Sequence, residues 1–313
     1  MEEKIMHLAN FNITFGDKEE PMLSHFEDVI FPAFNAGYIR GKKDEIPSFL
    51  LNHVKIKKFD AEEYVLVGNY IKETEYRIHT TVKNGELTVS PAQHPTAPYS
   101  RFIIFLKNHR MVLVRNENAS PDIRSFQKTV RFFLSKYVRE FNKEEKKKNK
   151  DYVKLPKANV NIVDIPLRED IESILKNVKK IDWVTLRFFP LNNDFDQLPM
   201  ASAVRAEMKK IGSSSANAKF NSPDSKEGIK EMLVHIGGQA APTIRVTNEN
   251  GEKDTIKEDS FSSNKKIPFA RDILSEDDVY LIGIAQKESI INVTSSENIA
   301  WYKRILPIIR SLL

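Results

Sequence analysis

The sequence predicts an α+β fold: an antiparallel sheet domain with a long basic helix over residues 1–150, followed by a mixed α/β domain over 151–313. Three observations predict it. Strand-like runs joined by tight polar turns dominate the first 115 residues, an apolar period of 3.6 with cations opposite begins near Ser120, and strand and helix patterns alternate from about residue 160. A chain of 313 residues with 41% hydrophobic content is long enough for two cores.

Taken in order, residues 7–16 (HLANFNITFG) alternate as a first strand. Leu23, Phe26, Ile30 and Phe34 then recur at helical spacing, with Pro32 ending or kinking that helix. FLLNHVKIKKF, EYVLVGNYIKE, TEYRIHTTV and ELTVS read as strands. Asn84-Gly85 lies between the last two and tolerates the positive φ angles of a type I′ turn, a strong hairpin signal. A second hairpin joins YSRFIIFL to MVLVR through Lys107–Arg110.

The basic helix follows, with Ser120 as the expected N-cap and Pro121 at the first helical position. KEEKKKNK, from Lys143, reads as a frayed end or linker and marks the domain boundary. Beyond it, VNIVDI is a strand, LREDIESILKNVKKI a helix, WVTLRFF a strand and QLPMASAVRAEMKKIG a helix. SSSANAKFNSPDSKEG reads as a loop, IKEMLVHIG as a helix, and TIRVTNENGEKDTIKE as a hairpin turning at Asn250-Gly251. ENIAWYKRILPIIRSLL is a terminal helix interrupted near Pro307.

Charge supplies the functional lead. Residues 120–154 hold eleven Lys and Arg against five Asp and Glu, a balance of +6, so the remainder of a +5 chain sums to −1. A basic element on a neutral body points to a polyanion partner. At 100° per residue, Ile123, Phe126, Val130, Phe133, Leu134, Tyr137, Val138 and Phe141 share one arc, while Arg124, Lys128, Arg131, Lys136, Arg139 and Lys143 share another. Phe132 falls inside the basic arc, free to stack on a base, seal a dimer or dock on the second domain. The competing reading is a solvated face on which Glu140, Glu144 and Glu145 pair with neighbouring lysines.

Other chemistry has little material. With no Cys there is no disulfide, thiolate zinc site, iron–sulfur cluster or cysteine nucleophile, which fits a reducing cytosol. The N-terminus has no signal-peptide pattern, and apolar runs such as Val279–Ala285 are far shorter than the roughly 20 residues of a membrane span. The seven His residues show no metal-ligand spacing, and no GxSxG, Walker loop or GxGxxG occurs, so no catalytic residue, metal or cofactor is assigned. Gly237-Gly238 reads as a helix C-cap. Asp60, Glu62 and Glu63 with Lys72 form the nearest approach to a metal-dependent nuclease site, a minority alternative. Asp277-Asp278 and the pair Asp194 and Asp196 read as solvated turns.

The block YSRFIIFLKNHRMVLVR running into SPDIRSFQKTVRFFL, then IDWVTLRFFPL, a lysine-bearing helix, a polar loop, TIRVT and a C-terminal helix, resembles the RexA-like phage-exclusion proteins. With NITFG near the start, it is also similar to a family of uncharacterised bacterial proteins found near defence genes. The resemblance is one of element order over most of the chain. It implies a cytoplasmic, homodimeric, sequence-independent DNA-binding protein in anti-phage defence that signals to a membrane partner without entering the membrane itself.

The reading is therefore of non-specific double-stranded DNA binding, since no base-reading motif is visible. The expected phosphate contacts are Arg124, Lys128, Arg131, Arg139, Lys143, Lys146, Lys147 and Lys148, with Lys265 and Lys266 in second rank. Residues 151–313 are expected to carry the dimer contact. The first alternative is a protein-interaction module whose basic face meets an acidic partner.

Overall fold

Strand β1 (Glu3–Phe15) is buried along nearly its whole length because four other strands and two helical layers converge on it. The computed structural model describes residues 3–42, 45–149, 151–194, 196, 198–257, 260, 265–269 and 271–313. Among these, β2 (Glu20–Pro21) hydrogen-bonds the end of β1, a helical stretch (22–30) runs into α1 (Phe31–Asn35), and β3 (Ile39–Arg40), β4 (Ser48–Asp60) and β5 (Glu63–Lys83) follow. β6 (Glu86–Thr96), β7 (Tyr99–Phe105), β8 (Arg110–Arg115) and α2 (Ile123–Lys148) complete the first half. EYVLVGNYIKE and TEYRIHTTV are thus one 21-residue strand.

The second half begins with β9 (Ala158–Asp164), α3 (Arg168–Lys176), β10 (Val178–Phe188), α4 (Pro199–Ile211) and β11 (Ala216–Asn221). It ends with α5 (Lys226–Ile236), β12 (Ala240–Asn248), β13 (Lys253–Lys257), β14 (Lys265–Pro268), α6 (Asp278–Ala285) and α7 (Ser296–Ser311). The fold is α+β, with two antiparallel sheets. The ten-stranded one runs β14-β1-β8-β7-β5-β4-β3, with β2 and β9 also on β1 and β6 on β5. The four-stranded one runs β11-β10-β12-β13.

Alternation along β1 feeds two cores. Phe11, Ile13 and Phe15 face α1, α2 and α7, packing on Phe34, Phe126 and Ile305. Met6 and Leu8 face the other way, against Val65, Leu281 and Ile282. The small sheet has its own core: Val184, Leu186 and Phe188 of β10 meet Ile171, Met208 and Leu233 from α3, α4 and α5. No helix among the described residues is long and apolar enough to cross a membrane.

Several expectations need correction. The chain does not divide at residue 150: β9 pairs with β1 from Ala9↔Asp164 to Phe15↔Ala158, β14 extends the same sheet, and α7 enters its core. Hydrogen bonding between distant segments decides this, and composition along the chain carries no trace of it. The N-cap of α2 is Asp122, whose carboxylate accepts from the Ser125 amide at 2.7 Å, while the Ser120 hydroxyl accepts from the Glu117 amide. The helix continues through Lys148. The helix expected over 167–181 stops at Lys176, because Val178 and Ile181 turn into the small core as part of β10. Part of the expected loop 213–228 is β11, paired from Trp183↔Asn221 to Phe188↔Ala216. α7 runs through Pro307, with Tyr302, Ile305, Leu306 and Ile309 buried on one side.

Candidate nucleic-acid interface

One flank of α2 borders three adjoining hollows that together make a groove, the first two sharing Gly16, Asp17, Lys18 and Lys157 and the last two sharing Arg187. Asn142 and Val138 line its first stretch, Ser135 and Arg131 its middle, and Arg124 its last. These positions repeat every three, four or seven residues, so they form one stripe on the helix. From Asn142 to Arg124 the stripe rises about 27 Å at 1.5 Å per residue. The middle stretch alone encloses about 900 Å³.

The opposite wall comes from the small sheet. Its inner face is taken by α3, α4 and α5, so alternate residues of its strands are left on the open face. Arg187 on β10 lies opposite Asn217 of β11 and Ala241 of β12, and Thr243 lies opposite Lys257 of β13. Arg187, Asn217, Thr243 and Lys257 line the groove across from Arg124. Ala241 packs on Val163 of β9 beside Phe189, which seats the edge of the small sheet against the large one. Arg205 of α4 donates to the carbonyls of Phe189 and Gln239 at the same junction.

The C-terminal end of α4 adds Lys209, Gly212 and Ser213 to Ser215. Gly212 sits at φ +68°, a left-handed cap that lets the chain turn sharply into the groove wall. The floor is Lys157 to Asn161 at the start of β9, with Lys18 and Lys154 at the rim. Arg131 is fixed over the floor by donating to the Val160 carbonyl at 2.7 Å.

Among the described residues eight cations thus line the groove: Lys18, Arg124, Arg131, Lys154, Lys157, Arg187, Lys209 and Lys257. Three carboxylates join them, Asp17, Glu19 and Glu20, and Glu20 is engaged by His25 at 2.7 Å. Among the described residues Lys18, Arg131, Lys157, Arg187 and Lys209 make no ion pair. Charges unpaired in a concave site keep their field for a ligand, since low-dielectric walls focus it.

The residues anticipated from sequence divide. Arg124 and Arg131 reach the groove, and Lys128 is exposed on its shoulder. Arg139 and Lys143 are exposed but lie about 60° and 100° further round the helix than Arg124. Lys136 covers the Tyr38 ring at 4.3 Å, and the Tyr38 hydroxyl donates to Glu140, so that side of α2 is occupied by its own fold. Lys146 and Lys147 are exposed in the last turn, where cations offset the helix dipole, and Lys148 pairs with Glu145. Lys265 and Lys266 sit on β14, each against a carboxylate, Glu288 and Glu3. Phe132 is 37% exposed beside Phe133.

Lys18, Lys154, Lys157, Arg187, Lys209 and Lys257 were not singled out from sequence. Apart from Lys154, at the end of the basic segment, each stands outside it, so only tertiary structure collects them. The open sheet face continues away from the groove with Trp183, Lys219 and Arg245, Lys219 lying 5.1 Å from the Trp183 ring centre.

The acidic groups considered for metal chemistry are already engaged. Glu62 pairs with Arg310, Glu63 with Lys107, and Asp60 accepts from the Ala61 amide. Asp194 is not solvated: it holds the buried Arg110 at 2.8 Å. Asp278 likewise accepts two hydrogen bonds from the buried Arg101, both at 2.8 Å, with Lys57 at 2.6 Å. Among the described residues no group of three or more His, Asp and Glu is placed to hold a metal ion. No family model, no curated protein and no solved structure matches the chain.

Proposed function

We propose that this protein binds double-stranded DNA without regard to sequence, laying one phosphate backbone along the groove beside α2. The observation that carries the reading is the collection of eight cations, from separate segments, along one concave path with three carboxylates. A path of about 27 Å matches roughly eight base pairs at 3.4 Å each. Its donors suit phosphate: guanidinium and ammonium groups, with serines at a loop and amides on the strands. Phosphate contacts fix register without reading bases, which fits the lack of any base-reading motif.

The test is a salt-titrated gel shift on a random-sequence duplex, comparing wild type with Arg124→Glu/Arg131→Glu. Each phosphate contact releases counterions, so wild-type affinity falls steeply with salt and the double variant loses both affinity and slope. Unchanged binding by the variant rejects the reading. Equal affinity for poly-glutamate and duplex at one salt concentration favours an acidic protein partner instead.

A further inference from the structure

Among the described residues, β5 has no strand partner beyond Glu73 except β6, and the two leave the body as a two-stranded ribbon. Thr74 to Lys83 extends about 30 Å at 3.4 Å per residue. An isolated two-stranded hairpin is marginal in water, and a sheet with an apolar face needs a second layer to cover it.

This ribbon has such a face. Tyr76 is paired with His94, Ile78 with Ala92, Thr80 with Val89, and Val82 with Leu87. Directly opposed residues project to the same side, so these eight side chains share one surface, and an irregularity between Ile78 and Thr80 keeps the alternation in phase. The other side is polar: Thr88 donates to the Thr81 carbonyl, and Arg77 pairs with Glu75. On the apolar side Tyr76 is 64% exposed, Val82 67%, Leu87 76% and Val89 83%, and none of them belongs to a core cluster.

We infer that this ribbon is the contact between two copies of the chain, packed apolar face to apolar face. Three observations select a second copy. The face carries no formal charge, and the ribbon from Glu73 onward has three acids (Glu73, Glu75, Glu86) against two bases (Arg77, Lys83), so it attracts neither a polyanion nor a strongly charged protein. A two-fold axis brings like surface to like: the aliphatic tip (Val82, Leu87, Val89) of one ribbon lies over the base of the other, where Tyr76 is paired with His94 and Ile78 with the small Ala92. Its apolar area is on the order of 500 Å², the size that marks an interaction site on a monomer. Two such faces together remove about 1,000 Å², the lower bound for a specific interface. The contact lies in the first half of the chain, not in residues 151–313, and it does not depend on the DNA reading.

Sedimentation equilibrium at tens of micromolar tests it. Wild type is expected at twice 36.0 kDa, and Leu87→Asp/Val89→Asp at 36.0 kDa with an unchanged far-UV spectrum and melting temperature. Because the chain has no Cys, Thr80→Cys introduces a single thiol near the middle of the face. Mild oxidation should convert it to a covalent dimer, whereas Asn250→Cys, at the β12–β13 turn, should remain monomeric on a denaturing gel. A monomeric wild type overturns the inference and leaves the ribbon to a different protein. A double variant that stays dimeric overturns it as well.

Discussion

Replacing Arg131 and Arg187 by Ala removes two opposed groove cations that make no ion pair among the described residues. Counterion release assigns about 0.9 of a salt-slope unit to each phosphate contact, so two lost contacts lower the slope by about 1.8. Extrapolated to a 1 M reference, that is about 30-fold in affinity at 0.15 M salt and about 200-fold at 0.05 M. Arg139→Ala/Lys143→Ala removes the same charge, both cations from α2, at positions about 60° and 100° round the helix from Arg124 and outside the groove lining. Its slope should change by less than about half a unit. Anisotropy of a labelled 12-base-pair random duplex from 50 to 200 mM salt measures both. Arg131 also holds the Val160 carbonyl, so melting temperatures are taken in parallel. If the Arg139 and Lys143 pair lowers the slope as much as the groove pair, affinity follows net charge and the groove has no special role.

Trp183 and Trp301 are the only tryptophans, and Arg304 lies 4.4 Å from the Trp301 ring centre within the body. In a Trp301→Phe background, emission from Trp183 on the open sheet face should change on saturation with duplex; an unmoved spectrum would place the ligand elsewhere. Asp278→Ala leaves the buried Arg101 guanidinium without its carboxylate, with only the Asn69 side-chain oxygen still accepting from it, and should cost about 3–5 kcal/mol in urea unfolding. A loss under 1 kcal/mol would contradict the burial. Asp122→Ala removes the α2 cap and should cost about 1 kcal/mol in the same assay.

Acid should destabilise the fold through two histidines. Burial pushes both His7 and His109 down from 6.5 to about 4, with Arg115 adding to the effect at His7 and Arg110 at His109. Both are neutral when folded, and the unfolded chain takes up their protons first. The stability tied to their neutral state is complete above pH 6.5 and drains as pH falls towards 4. At pH 5 each contributes a loss of roughly 2 kcal/mol. His109→Asn should reduce the difference between urea curves at pH 7 and pH 5 by about half; an unchanged difference would refute the assignment.

Much of the local structure was legible. Asn84-Gly85 sits at positive φ in the β5–β6 turn, as its turn chemistry requires, and Gly237 takes the left-handed cap of α5. The buried stripe of α2 is close to that expected, with Ile123, Phe126, Val130, Phe133, Leu134 and Val138 all buried. The candidate site was half legible. Arg124 and Arg131 stood in a recognisable basic arc, but the same arc contains Lys136, which covers Tyr38, and Arg139, which lies about 60° further round than Arg124. A helical wheel gives an angle and not a neighbour.

The sequence by itself determined most element types, the main turns and the two-sidedness of α2, because those follow from side-chain period and backbone preference within a few residues; β11 and the start of β10, read as loop and helix, are the exceptions. Only the tertiary structure decided that β9, β14 and α7 belong to the first core, and that Lys18, Lys157, Arg187 and Lys209 face one groove. Pairing between strands more than a hundred residues apart is set by which buried surfaces and hydrogen bonds close together. That closure leaves no periodic mark in the chain, so a charge cluster assembled by it is invisible until the fold is known.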